Sequence, residues 1–131
     1  MFFAVNGTLM RGLALNANMT ESGAIFVRET ATAPVYRLWS IGDRYPGMIR
    51  VAEGGAAIGL EVWQVEAGGL VQILEREPPG LTIGRVSLDD GSQVWGVLAE
   101  PYLVEHQVEI TSYGGWRAYT AVRPQESQSV R

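Results

Sequence analysis

Two short segments of the 131-residue chain carry residue types suited to chemistry. In Val5-Asn6-Gly7-Thr8-Leu9-Met10-Arg11-Gly12 an apolar run gives way to a polar, glycine-containing turn. Such a turn can aim successive backbone N–H groups into one concavity and hold a carboxylate or phosphate. Gly7 allows close backbone approach, Asn6 and Thr8 add short polar groups, and Arg11 adds a cation. The same residues also read as an ordinary strand-to-loop turn with a surface arginine. The second segment is Glu75-Arg76-Glu77-Pro78-Pro79-Gly80. A carboxylate at a helix C-terminus meets the negative end of the dipole, and burial pushes its pKa in the same upward direction. That is a starting point for a general acid or base. The plain alternative is a solvated last turn in which Arg76 balances the two glutamates.

Further candidates are weaker. Thr111-Ser112-Tyr113-Gly114-Gly115-Trp116-Arg117-Ala118-Tyr119 places an arginine among aromatics, so that Arg117 and Tyr113 are candidates to clamp a carboxylate and wall off water. Core packing is the commoner role for Trp116. Tyr36-Arg37 and Tyr45-Pro46-Gly47-Met48 form a fourth group, with Tyr45 in a turn where its hydroxyl faces either a pocket or a barrel mouth. Glu61 lies among apolar residues, and if it points inward it must be paired, with an arginine the obvious partner. His106 reads as an exposed loop residue.

Composition narrows the field. Cysteine is absent, and all 10 basic residues are arginine. Thiol nucleophiles, thiolate metal sites and lysine Schiff bases are thereby excluded. A single histidine does not build a multi-histidine metal centre, so neither metal nor cofactor is expected. The net charge of −4 argues against nucleic acid as a partner. The opening apolar run is too short for a signal peptide and no stretch has transmembrane length, so the expected location is the cytoplasm, away from membranes.

The elements that must position these residues are mostly strands. Sixteen glycines punctuate short apolar runs. Phe2–Val5, Gly23–Glu29, Tyr36–Ile41, Gly47–Val51 and Ala56–Val65 read as extended segments. Arg85–Leu88 and Gln93–Leu98 flank Asp89-Asp90-Gly91, a strong hairpin signal. One helix is convincing, Glu66–Glu77, with Leu70, Ile73 and Leu74 on one face and Pro78-Pro79 stopping it. A second short helix is expected near Tyr113–Tyr119. The sum is an α+β fold, a small mixed β-barrel or curled sheet with one or two short helices. It forms one domain over residues 1–123, and 124–131 reads as a loose tail.

Together the segments resemble a known superfamily. VNGTLMRG resembles the first loop of the gamma-glutamylcyclotransferase-like (AIG2-like) fold, and TAPVYRLWSIGDRYPGMIRV, AIGLEVWQV and LEREPPG continue the pattern. TAPVYRL, GLEVWQV, PPGLTIGRVSLDDG and ITSYGGWRAY resemble, more closely, the C-terminal domain of allophanate hydrolase. The resemblance spans roughly residues 3–121. It implies that main-chain amides of Asn6, Gly7, Thr8 and Leu9 hold a substrate carboxylate. It also implies that Glu77, with Glu75 as fallback, serves as base and then acid on the substrate amine, without a cofactor. Asn6 stands where cyclotransferases have tyrosine, Pro78 where they have glycine, and Thr8 near where the allophanate hydrolase branch has histidine. Two functions follow as expectations. One is a small-molecule enzyme acting on a carboxylated amide or amine. The other is a non-catalytic binding or accessory domain, with an amidase-type protein as partner.

Overall fold

The computed structural model describes residues 1–123; the expected tail at 124–131 lies outside them. Five strands form a mixed sheet in the order β2-β5-β1-β7-β6. They are β1 (Phe2–Val5), β2 (Ile25–Ala31), β5 (Gly59–Gln64), β6 (Leu81–Ser87) and β7 (Gln93–Ala99). β1 runs antiparallel to β5, pairing Phe3 with Trp63 and Val5 with Glu61, and parallel to β7. Its run of apolar residues fits a strand buried on both faces. A second sheet has the order β4-β3-β8, built from β3 (Tyr36–Ile41), β4 (Tyr45–Arg50) and β8 (Val108–Glu109). The strands form two sheets with no closed barrel among the described residues. The sheets meet where β4 lies against β7, and Gly47 permits this because a Cβ there would sit 3.1 Å from the Ala99 Cβ.

Turn chemistry explains the hairpins. The β6–β7 connection is the Asp89-Asp90-Gly91 turn, with Gly91 at φ 87°, and pairing extends from Ser87↔Gln93 back to Leu81↔Ala99. The β3–β4 turn puts Gly42 and Asp43 at φ 58° and 59°, and Ser40 and Tyr119 both donate to the Asp43 carboxylate, at 2.6 and 2.7 Å. Tyr45 is therefore the first residue of a strand instead of a turn residue, and the strand begins two positions before the expected Gly47.

Helix α1 (Asn16–Glu21) has no counterpart in the sequence reading. It buries only Met19, so it shows no apolar period, and it is tied down by Asn16 Nδ2 donating to the Leu9 carbonyl at 2.9 Å. Helix α2 (Ala67–Glu75) is shorter than the expected Glu66–Glu77, which leaves Glu77 outside the helix proper. The second glycine of its pair has a packing purpose: a Cβ on Gly69 would lie 2.3 Å from the Ser22 carbonyl oxygen beside α1. Helix α3 (Trp116–Val122) starts three residues after Tyr113, and Trp116 and Tyr119 are its buried residues. The core gathers Phe3, Val5, Met19, Tyr36, Leu38, Met48 and Ile58, each large apolar side chain contributing about 1.5–3 kcal/mol on burial. None of the described helices is long and apolar enough to cross a membrane.

Candidate functional site

At the junction of the two sheets lies a hollow of about 20 Å³. Its walls are the loop after β1 (Asn6 to Leu9), Tyr45 and Pro46 of β4, Val97 of β7, and Glu77. The volume accommodates about one water or one oxygen-sized group. It adjoins an outer cleft of about 330 Å³ lined by Ala14, Leu15, Arg44 and Pro78. Thr8, Tyr45, Glu77 and Leu81 line both spaces.

The loop is held so that its carbonyls point into structure. The Gly7 carbonyl accepts from Met10 N at 3.0 Å, that of Thr8 from Leu15 N at 2.9 Å, and that of Leu9 from the Asn16 amide. The N–H groups of Gly7, Thr8 and Leu9 have no protein acceptor among the described residues. Three consecutive donors without partners are the arrangement that binds an anion or a polarised oxygen. Gly7 is needed for the fit, since a Cβ would lie 2.5 Å from the Pro46 ring. Asn6 is buried, and its Nδ2 donates to the Val97 carbonyl at 3.1 Å, fixing the loop onto β7.

Glu77 is placed by the end of α2. Its N–H still bonds the Leu74 carbonyl at 3.1 Å, and Pro78 then prevents another helical turn. Gly80, at φ 95°, turns the chain into β6 and is locked by Glu100 N donating to its carbonyl at 2.8 Å. The Glu77 carboxylate is half-buried and makes no side-chain hydrogen bond or ion pair among the described residues. Burial alone raises its pKa from 4.5 to about 7. Arg76 does not balance it: its guanidinium reaches Asn18 at 3.0 Å and Glu21 at 2.9 Å beside α1. Glu75 is exposed and lines neither space.

Three expected binding residues lie elsewhere. Arg11, Tyr113 and Arg117 do not line the Glu77 cleft. Tyr113 and Arg117 instead line a separate cleft of about 460 Å³ between α3 and β5, whose inner wall includes Glu61. Glu61 is 1% exposed and points inward. Its Oε1 accepts from Arg11 N at 3.0 Å and Trp63 Nε1 at 3.1 Å; its Oε2 accepts from Arg11 Nε at 3.1 Å and Arg117 Nη2 at 3.2 Å. Arg11 also pairs with Glu29 and lies 3.6 Å above the Phe26 ring centroid. The expected arginine partner of Glu61 is thus found twice over, and it draws these cations into architecture. The sequence reading did not single out Arg44, Leu81 or Val97, which also line the Glu77 hollow or its outer cleft. The Gly42-Asp43 turn signal locates the first of these, since a turn there sets Arg44 at the head of β4.

Among the described residues no group of three or more His, Asp or Glu is placed to hold a metal ion. Comparison with known proteins agrees with the fold. The architecture is gamma-glutamylcyclotransferase-like: an AIG2-like protein from Mus musculus superposes with a TM-score of 0.59, covering 79% of this chain and 81% of that one, at 20% identity. A uropathogenic E. coli-specific protein of known structure is 56% identical, with a TM-score of 0.90 over 94% of this chain and 97% of that chain. Urea amidolyase of Saccharomyces cerevisiae is 32% identical over 136 residues, which is 98% of this chain but only 7% of the length of that enzyme. The family model of the allophanate hydrolase C-terminal domain matches residues 1–121, and the chain belongs to that family.

Proposed function

We propose that the chain is a small-molecule enzyme acting on a carboxylate-bearing amide, with Glu77 as the proton carrier. One observation carries this reading. An unpartnered, desolvated carboxylate and three unpartnered backbone donors line the same hollow. Unsatisfied polar groups on the wall of a cavity are costly, and a ligand is what would satisfy them.

The chemistry follows from these groups. An oxygen of the substrate enters the inner hollow and accepts from the Gly7–Leu9 amides, while the rest lies in the outer cleft. A pKa of about 7 leaves Glu77 partly ionised at neutral pH, so it removes a proton from an attacking amine and returns it to the leaving amine. The attacking nitrogen forms a bond to the carbonyl carbon, the bond from that carbon to the leaving nitrogen breaks, and the amides stabilise the oxygen that gains charge. The products are a cyclic amide and a free amine. Tyr45, on both spaces, walls the substrate against water.

A second reading is favoured by the family itself, whose curated relative contains this domain as 7% of its length. In that reading the cleft binds a small carboxylated nitrogen compound, or the domain docks on an amidase-type partner, without turnover. The test is amine release from a panel of carboxylated amides, with ligand affinity measured in parallel. Glu77→Gln should lower the turnover of the wild-type protein about 10²–10⁴-fold with affinity changed little. Binding without turnover in both proteins replaces the first reading with the second.

A further inference from the structure

We propose that the cleft between α3 and β5 is a second ligand site, one that takes a carboxylate carried on an apolar body. It shares no residue with the Glu77 hollow or its outer cleft, so it stands independently of the function assigned there.

Small residues make the room. Ala118 and Ala121 fall on one face of α3 and share a space of about 460 Å³ with Gly59 and Leu60 of β5. That volume is in the range of small-molecule sites. Leu60 and Met10 add buried apolar surface to the wall. The backbone around the cleft is fixed, since Gly59 N donates to the Gly114 carbonyl at 2.8 Å and pins the turn before α3 to β5.

Donor capacity left over in the wall marks this space as a site. Trp116 is 3% exposed, yet its indole N–H has no acceptor among the described residues. A buried indole ordinarily finds one. No wholly buried side-chain nitrogen or oxygen among these residues lacks a partner. The indole N–H therefore keeps accessible surface, and the cleft that Trp116 lines is where it meets a ligand. Arg117 supplies further donors. Its Nη2 is spent on the Arg11 carbonyl at 3.0 Å and on Glu61 Oε2 at 3.2 Å, which fixes the guanidinium, while Nε and Nη1 have no acceptor among the described residues. The carboxylates on the wall are already engaged: Glu29 pairs with Arg11, and both oxygens of Glu61 accept from its neighbours. Unmet donors beside apolar surface suit an acceptor on an apolar ligand, and a carboxylate makes the strongest such bonds.

Calorimetry on the whole chain tests this with 3-phenylpropionate, with its neutral amide 3-phenylpropionamide, and with acetate, which has the charge without the apolar body. The acid should bind about tenfold more tightly than either of the others. Ala121→Phe fills the cleft from an exposed position and should abolish that binding. Ala14→Phe fills the outer Glu77 cleft instead and should leave it unchanged. Trp116→Phe removes the N–H and keeps a ring, and should weaken binding about fivefold. The indole N–H resonance missing from that variant should move downfield in the wild-type protein as the acid is added. The proposal is overturned if the wild-type protein does not bind the acid, if the amide binds as tightly, or if Ala121→Phe retains the affinity. It is equally overturned by an unmoved indole resonance, or by loss of binding in Ala14→Phe, which would put the acid in the Glu77 cleft.

Discussion

Glu61 and Glu77 are both carboxylates in largely apolar surroundings, and the molecule treats them in opposite ways. Glu61 sits in the middle of β5 with each oxygen accepting two hydrogen bonds, from two arginines, an indole and a backbone amide. Every acceptor site is filled, which is the condition under which a buried charge is tolerated. Glu77 lies past the end of a helix, is partly desolvated, and has no partner among the described residues. A saturated carboxylate has no capacity left for a ligand. An unsaturated one retains its proton affinity, and burial tunes that affinity to neutral pH. The cleft beside Glu61 is the larger of the two, about 460 against 330 Å³, so size alone favours the other carboxylate over the one proposed to carry the proton.

The comparison can be broken experimentally, and the turnover test of Glu77→Gln given above is its largest effect. Next is Glu61→Ala. It leaves Arg11, Arg117 and the Trp63 N–H without their shared acceptor, and should cost about 3–5 kcal/mol in urea unfolding. Comparable stability in this variant would show that Glu61 is not the architectural member of the pair.

A pH series then sharpens the contrast. The folded pKa of Glu77 stands above its unfolded value, about 7 against 4.5. The folded state therefore holds the proton more strongly, and this contribution is complete below pH 4.5 and is lost as pH rises through 7. Glu77→Gln should accordingly match the wild type in stability near pH 4. At pH 8 it should exceed it, by on the order of 1–2 kcal/mol after allowance for solvent screening of a half-buried group. An equal stability gap at both pH values would remove burial as the cause of the shift. The smallest effect concerns the support of the cleft. Tyr119→Phe removes the 2.7 Å bond to Asp43 at the β3–β4 turn and should cost about 1 kcal/mol. Measured as urea unfolding, no change there would detach α3 from the positioning of Arg44 and Tyr45.

Much of the fold was legible because local chemistry dictated it. Asp-Gly forced the β6–β7 turn, alternation of apolar runs with glycine marked the strands, and Pro78-Pro79 ended α2 close to where it ends. Helix α1 escaped notice because six residues burying one methionine leave no period to detect. Of the candidate site, the loop after β1 and Glu77 were picked out from residue type, helix-end position and family resemblance, and the fold places them on one hollow. The arginines and aromatics of the α3 region were legible only as candidates, since nothing local says which carboxylate a guanidinium will meet.

The sequence by itself determined the inventory: no thiol, no lysine, an acidic balance, a glycine turn after the first strand, and a glutamate trapped between a helix and two prolines. These are properties of single residues and their neighbours, fixed before any long-range contact forms. Tertiary structure decided how the charges were allotted. Pairing β5 beside β1 and laying α3 across its end brought Arg11 and Arg117 to Glu61 over sequence separations of 50 and 56 residues. The β3–β4 hairpin carried Arg44 to the wall of the Glu77 cleft, where it has no side-chain partner among the described residues. Whether a carboxylate is neutralised depends on which opposite charges lie within a few ångströms in space, and chain order says nothing about that until the sheets are assembled.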